Sequence, residues 1–144
     1  MTLLPTNFGP IVLHTTLCLT AAAAVINFWL GMRIGKIRMA HKVFIGDGGD
    51  DLLIRRMRAQ ANFIEQTPVT LILFALVELA GVGTVGWTSW GLPVLGAMFM
   101  LGRVAHGFGM DGPFKAGRPI GMATATLTQL ILIVIAVLVS VGKF

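Results

Sequence analysis

DLLIRRMRAQANFIEQTPVTLILFALVELAGV, residues 51–82, decides the fold. It opens on an acid and three arginines and runs into an apolar stretch interrupted only by Glu65 and Glu78. Its pattern predicts one unbroken helix, about 48 Å long at 1.5 Å per residue. That exceeds the hydrocarbon thickness of a bilayer, about 30 Å. The first two or three turns, with Arg55, Arg56 and Arg58, are therefore expected in the interface, and the remainder crosses. Asp50 or Asp51 is placed to cap the N-terminus, where a carboxylate is favoured. Pro68 falls inside the apolar part, where a kink is expected.

The rest of the chain fits the same solvent. Residues 1–32, 79–102 and 119–142 contain no Asp, Glu, Lys or Arg. Only 12% of the 144 residues are charged, 56% are hydrophobic, and the mean hydropathy is +0.85. A soluble domain carries roughly twice that charged fraction. The expected fold is all-α: one domain over 1–144, with four transmembrane helices near 9–32, 60–82, 89–107 and 120–142. Gly81, Gly83, Gly86 and the Trp87–Trp90 pair mark the turn between the second and third spans, with Trp as an interfacial anchor. The first span is not a signal peptide, because its cations follow the apolar core instead of preceding it.

Eleven cations stand against six acids. Ten of them lie at 33–58 and 103–118, the two loops that four spans place on one side. Lys143 is the exception. The bias of Lys and Arg toward cytoplasmic loops then predicts both termini outside and both basic loops in the cytoplasm. The basic character is a topology signal, and no basic tail or soluble module is left for nucleic acid. Cys18 is the one cysteine, which excludes a disulfide framework. His14 has no second ligand at metal-binding spacing, so no metal site is expected. The Gly-rich run 44–51 lacks the Lys-Ser/Thr ending of a phosphate loop and carries acids that would repel phosphate.

Arg55, Arg58, Asn62 and Glu65 fall within a sector of roughly 80° on the second helix. Such a stripe is costly in lipid and should face protein or a water-filled cavity. Two readings suit it equally: an internal salt bridge of Glu65 with Arg58 or an arginine of another helix, or a ligand pocket. Arg103 and His106 share one face of the third span at the same end, where Arg103 could offset Glu65. Arg118 precedes the fourth span, and Arg33 and Arg38 follow the first. Arginines from four helices thus meet one acid, an Asn and a His, with Asn27 a further candidate for the cavity wall. Arg forks bind carboxylates bidentately, so a small anionic ligand would fit.

The skeleton R-x-x-R-A-x-x-N-x-x-E-x-x-P, from Arg55 to Pro68, resembles the signature of the MAPEG superfamily, the membrane-associated proteins in eicosanoid and glutathione metabolism. Gly102-Arg103-Val104-Ala105-His106 is similar to the G-R-x-x-H of that family's third helix. Arg118-Pro119-Ile120-Gly121 resembles its R-x-x-G before the fourth, and Gly46-Asp47-Gly48-Gly49 the loop of bacterial members. The resemblance implies a homotrimer in a bacterial inner membrane. It implies glutathione as co-substrate, bound between subunits at the cytoplasmic end, with a lipophilic small molecule arriving from the bilayer. Carried over by position, Arg33, Arg38, Arg55, Arg58, Asn62, Glu65 and His106 would bind glutathione, and Arg118 and Arg103 would be catalytic. Arginines would pair the two carboxylates, Glu65 would take the ammonium, and nearby positive charge would favour the thiolate, the nucleophilic form.

The chain has no Tyr, and Gln66 follows Glu65 where many relatives have Tyr. Three functions therefore compete. A glutathione transferase with peroxidase-like capability is the first. A non-catalytic lipid-binding or partner-activating member of the same family is the second, kept open by the missing Tyr. A transporter or assembly subunit is the third, disfavoured by the arginine stripe.

Overall fold

The computed structural model describes residues 12–82 and 88–143. It contains four helices: α1, His14–His41; α2, Asp51–Leu79; α3, Thr88–Gly109; and α4, Gly117–Ser140. All four are long and apolar enough to cross a membrane. α2 begins where the sequence places it and continues through Pro68 without a break. Residues 9–11 of the first expected span lie outside the described residues, as do Gly83, Gly86 and Trp87 of the expected turn. Trp90 is described and largely exposed.

α3 packs most extensively on α4, and α1 on α2; α2 and α3 each touch all three other helices. α1 and α4 do not pack on each other among the described residues. They form opposite flanks of a bundle centred on Phe74, Val77, Leu92, Phe99, Ala125 and Leu132. The outer faces are equally apolar. Leu17, Val25 and Phe28 on α1, and Leu127, Leu130 and Val134 on α4, are exposed. Apolar side chains on both sides of a helix suit a lipid solvent.

Small residues let α3 and α4 approach closely. A Cβ on Gly102 would overlap the Thr124 hydroxyl, and one on Gly121 would overlap His106. This is the small-residue packing that helix pairs use where no hydrophobic effect drives them together.

α1 extends beyond expectation. The loop after the first span was expected to start at Arg33, yet the helix runs to His41. Ile34 and Ile37 continue the apolar i, i+3 pattern and bury against Leu53 of α2. Burial of that face repays two further turns of helix. The end comes at Lys42, whose left-handed backbone (φ 54°) is followed by a bond from the Val43 amide to the Arg38 carbonyl, 2.9 Å. Gly48 (φ +59°) then turns against Val43, where a Cβ would come within 2.8 Å of its methyl. Asp50 caps α2, accepting the Leu53 amide at 2.8 Å, and pairs with His41 at 2.6 Å. The Leu53 amide holds the Asp50 carboxyl below its ordinary range, and His41 assists.

At the opposite end, α1 has no side-chain cap of its own. Glu78, in the last turn of α2, supplies one from across the interface. Its carboxylate accepts the Thr15 amide, the Thr16 amide and the Thr16 hydroxyl, each at 2.8 Å. An anion at a helix N-terminus satisfies orphan donors and meets the positive end of the dipole. Glu78→Ala should therefore cost about 1–2 kcal/mol, as loss of an N-cap does. A thermal midpoint in detergent equal to wild type would refute the cap.

Candidate functional site

The end bearing the α1–α2 and α3–α4 loops gathers the cations, and the fold divides them into two sets. The closed set has partners inside the chain. Arg103 of α3 is 2% exposed. Its Nη1 donates to Asn62 Oδ1 on α2 at 2.9 Å, its Nη2 donates to the Gly121 carbonyl on α4, and the Phe99 ring lies 5.6 Å from the guanidinium carbon. No carboxylate pairs with it among the described residues. His106, one turn on, is also buried and packs against Gly121.

Arg33 is closed off as well. It pairs with Asp111 of the α3–α4 loop, and its guanidinium carbon lies 4.4 Å from the centre of the Trp29 ring. Arg56 grips the same carboxylate, Nε to Oδ1 at 3.0 Å and Nη2 to Oδ2 at 3.2 Å. It also donates to the Arg33 carbonyl at 3.0 Å. One carboxylate thus joins α1, α2 and the loop between α3 and α4. Sequence reasoning passed over Arg56 and Asp111. The available signal was that Asp111 is the one acid after Glu78, lying between Arg103 and Arg118.

Arg38 is turned to its own loop, 3.4 Å from the Val43 carbonyl and 3.5 Å from the Met57 sulfur. Asn27, on an exposed part of α1, accepts from Gln60 at 3.3 Å.

The open set is Arg55, Arg58 and Arg118, all exposed, with the exposed carboxylate of Glu65. Neither Arg58 nor Glu65 has an ion-pair partner among the described residues, so the salt bridges considered for Glu65 do not form within one chain. The reason is angular. The buried row of α2 is Ala59, Phe63, Thr67, Thr70, Phe74 and Val77. At about 100° per residue, Glu65 and Arg58 point roughly 140–160° away from the middle of that row. Asn62 sits at the border and reaches inward to Arg103. The stripe exists as the spacing predicts, but it is turned away from the chain's own core.

An apolar groove lies elsewhere. Its volume is about 610 Å³, and Leu92, Leu95, Met98, Leu130, Ile131 and Val134 line it between α3 and α4. Leu130 is twelve residues beyond Arg118 on α4, about 18 Å along the helix, so this groove is not part of the basic site.

A helix with an arginine–glutamate face turned outward, against a buried Arg–Asn pair and a basic loop, agrees with the family signature. The match to known sequences decides it: residues 16–138 match the MAPEG family. The chain belongs to the MAPEG family. The inner membrane protein YecN of Escherichia coli strain K12 is 30% identical, over 81% of this chain and 88% of that relative. The YecN of Escherichia coli O6:H1 matches equally. In this MAPEG chain the signature of α2 serves two directions, Asn62 inward and Arg58 and Glu65 outward.

The Asp111 junction is open to a direct test. Asp111→Ala leaves two mostly buried guanidinium groups side by side with no counter-charge. The expected loss is on the order of 2–4 kcal/mol, somewhat below the figure for breaking a fully buried pair. Melting of the detergent-solubilised variant measures it, and an unchanged midpoint would show that the junction carries no stability.

Proposed function

We propose that this MAPEG protein is a glutathione-dependent transferase of a bacterial inner membrane, with peroxidase-like capability. On this reading it is a homotrimer, acts on lipophilic electrophiles, and binds glutathione between subunits at the cytoplasmic end. One observation carries this above all. Arg58 and Glu65 lie on an outward face of an apolar helix with no ion-pair partner among the described residues. Charges so placed within a membrane are costly unless they face protein or water. A second copy packed over α2 supplies both, and the space between the copies becomes polar.

In that space the residues have complementary tasks. Arg55, Arg58 and Asn62 offer donors to the carboxylates of glutathione, with Arg33 and Arg38 at the α1 side of the same end. Glu65 accepts from the ammonium. Arg118, exposed on the first turn of α4, stabilises the thiolate, whose attack on a carbon electrophile forms the C–S bond and expels the leaving group. His106 and Arg103 form the inner wall. Arginine near a thiol lowers its pKa from about 8.5 toward neutrality, which raises the nucleophilic fraction. The lipophilic substrate reaches the sulfur from the bilayer.

Titration of the purified protein with glutathione, recording thiolate absorbance, tests the reading. Saturable binding and a thiolate signal at neutral pH are expected. Arg58→Ala should weaken binding about tenfold, the loss of a charge-assisted hydrogen bond. Arg118→Ala should remove most of the thiolate signal. Absence of both binding and thiolate in the wild type would end the proposal. The lack of any Tyr favours a second reading, a non-catalytic lipid-binding or partner-activating protein. Glutathione binding without conjugation of any electrophile would select it.

The ten-to-one split of cations supports both termini outside and both basic loops in the cytoplasm. A C-terminal alkaline phosphatase fusion should be active in bacterial cells. A fluorescent C-terminal green fluorescent protein fusion in place of that activity would reverse the orientation.

A further inference from the structure

We infer that Arg103 is a positioning residue that acts through Asn62, locking its carboxamide so that the –NH2 group and not the oxygen faces the ligand. The inference deepens the glutathione reading and rests on it for the identity of the ligand. It starts from what an arginine can do. A guanidinium has donors and no acceptor, so the Asn62 atom 2.9 Å from Nη1 has to be the oxygen. The orientation of an amide is often ambiguous, but a donor-only neighbour settles it.

Arg103 cannot easily let go. It is almost fully buried, and its second donor is taken by the Gly121 carbonyl. Phe99 lies on one side, and the Gly102–Gly121 seam leaves no room for a swing toward α4. In a dry site a charge-assisted hydrogen bond is stronger than in water. The Asn62 Nδ2 is then turned away from Arg103, and it has no acceptor among the described residues. It lies between Arg58, one turn before, and Glu65, one turn after, on the border of the outward face. Two N–H donors are thus held ready for an anionic oxygen without the entropy cost of orienting them on binding. Without Arg103 the amide could turn over and present its oxygen, which repels a carboxylate.

This separates two roles. A guanidinium that touched the ligand would contribute on its own; one that acts through Asn62 contributes nothing once Asn62 is gone. Glutathione affinity is measured for wild type, Asn62→Asp, Asn62→Ala, Arg103→Met and the Asn62→Ala/Arg103→Met double variant. Asn62→Asp keeps an oxygen toward Arg103, so it should melt no lower than wild type. It replaces the donors with an acceptor, so binding should weaken about tenfold or more. Arg103→Met, which has no donor, should weaken binding similarly in the wild-type background and not at all in the Asn62→Ala background. Additive losses, or full affinity in Asn62→Asp, would overturn the inference. If Arg103→Met fails to fold, Arg103→Gln, which lacks the charge of the guanidinium, takes its place in the cycle.

A second readout needs no glutathione. Protein labelled with nitrogen-15 at asparagine gives side-chain amide signals, and the Asn62 pair is the one missing in Asn62→Ala. These signals should shift or broaden clearly in Arg103→Met or Arg103→Gln protein relative to wild type. Unchanged Asn62 signals in whichever of these variants folds would refute the lock. Failure of wild type to bind glutathione, with the lock intact by this readout, would remove the ligand and leave the positioning role standing.

Discussion

A guanidinium in an apolar bundle has to be answered by oxygen, and Arg103 sets the terms for the rest of the chain. It finds no carboxylate among the described residues. It takes one oxygen from α2 and one from the backbone of α4. The second is reachable only because Gly102 and Gly121 bring α3 and α4 together. The glycine seam, the buried arginine and the inward turn of Asn62 therefore form one arrangement. A bulkier residue at either glycine would push α4 away and remove the acceptor. Leaving a buried charge without partners is among the costlier changes a fold can suffer.

From that constraint follows the division of cations. Arg103 is answered by two neutral oxygens on other helices, Arg33 and Arg56 by the carboxylate of Asp111, and Arg38 and Arg55 by nearby backbone carbonyls. Arg58 and Arg118 have no ion-pair partner among the described residues, and Glu65 is an acid in the same position. The two sets differ by helix face, not by sequence distance, for Arg56 and Arg58 are only two residues apart. At that separation on a helix, side chains point in very different directions. The same short signature thus supplies both an internal strut and an outward-facing charge.

The spans, the start of α2 and the cap at Asp50 were legible because each depends on local pattern and hydropathy. The polar stripe was legible as a set of angles. Its direction was not, because periodicity fixes residues relative to one another and says nothing of which neighbour a face meets. Two equally good partners for Glu65 were readable in the sequence, and the fold uses neither. The continuation of α1 to His41 escaped for a related reason: Ile34 and Ile37 stand among cations, and only their contact with Leu53 makes helix preferable to loop. Asp111 was visible as an isolated acid, but pairing it with Arg33 and Arg56 needed the three-dimensional meeting of α1, α2 and the last loop.

Glu78 has a consequence for how the bundle can move. Its bonds to Thr15 and Thr16 hold α1 and α2 at one end, and the Arg33–Asp111–Arg56 junction holds them near the other. Two anchors about 27 Å apart along α1 fix the axial register of the pair. α1 can neither slide past α2 nor roll about its own axis without breaking charged contacts at both ends. With α4 pressed onto α3 along the glycine seam, both helix pairs of the single chain are braced. In the trimer proposed above, an opening that admits a molecule from the bilayer would then lie where copies meet, by their tilting against one another.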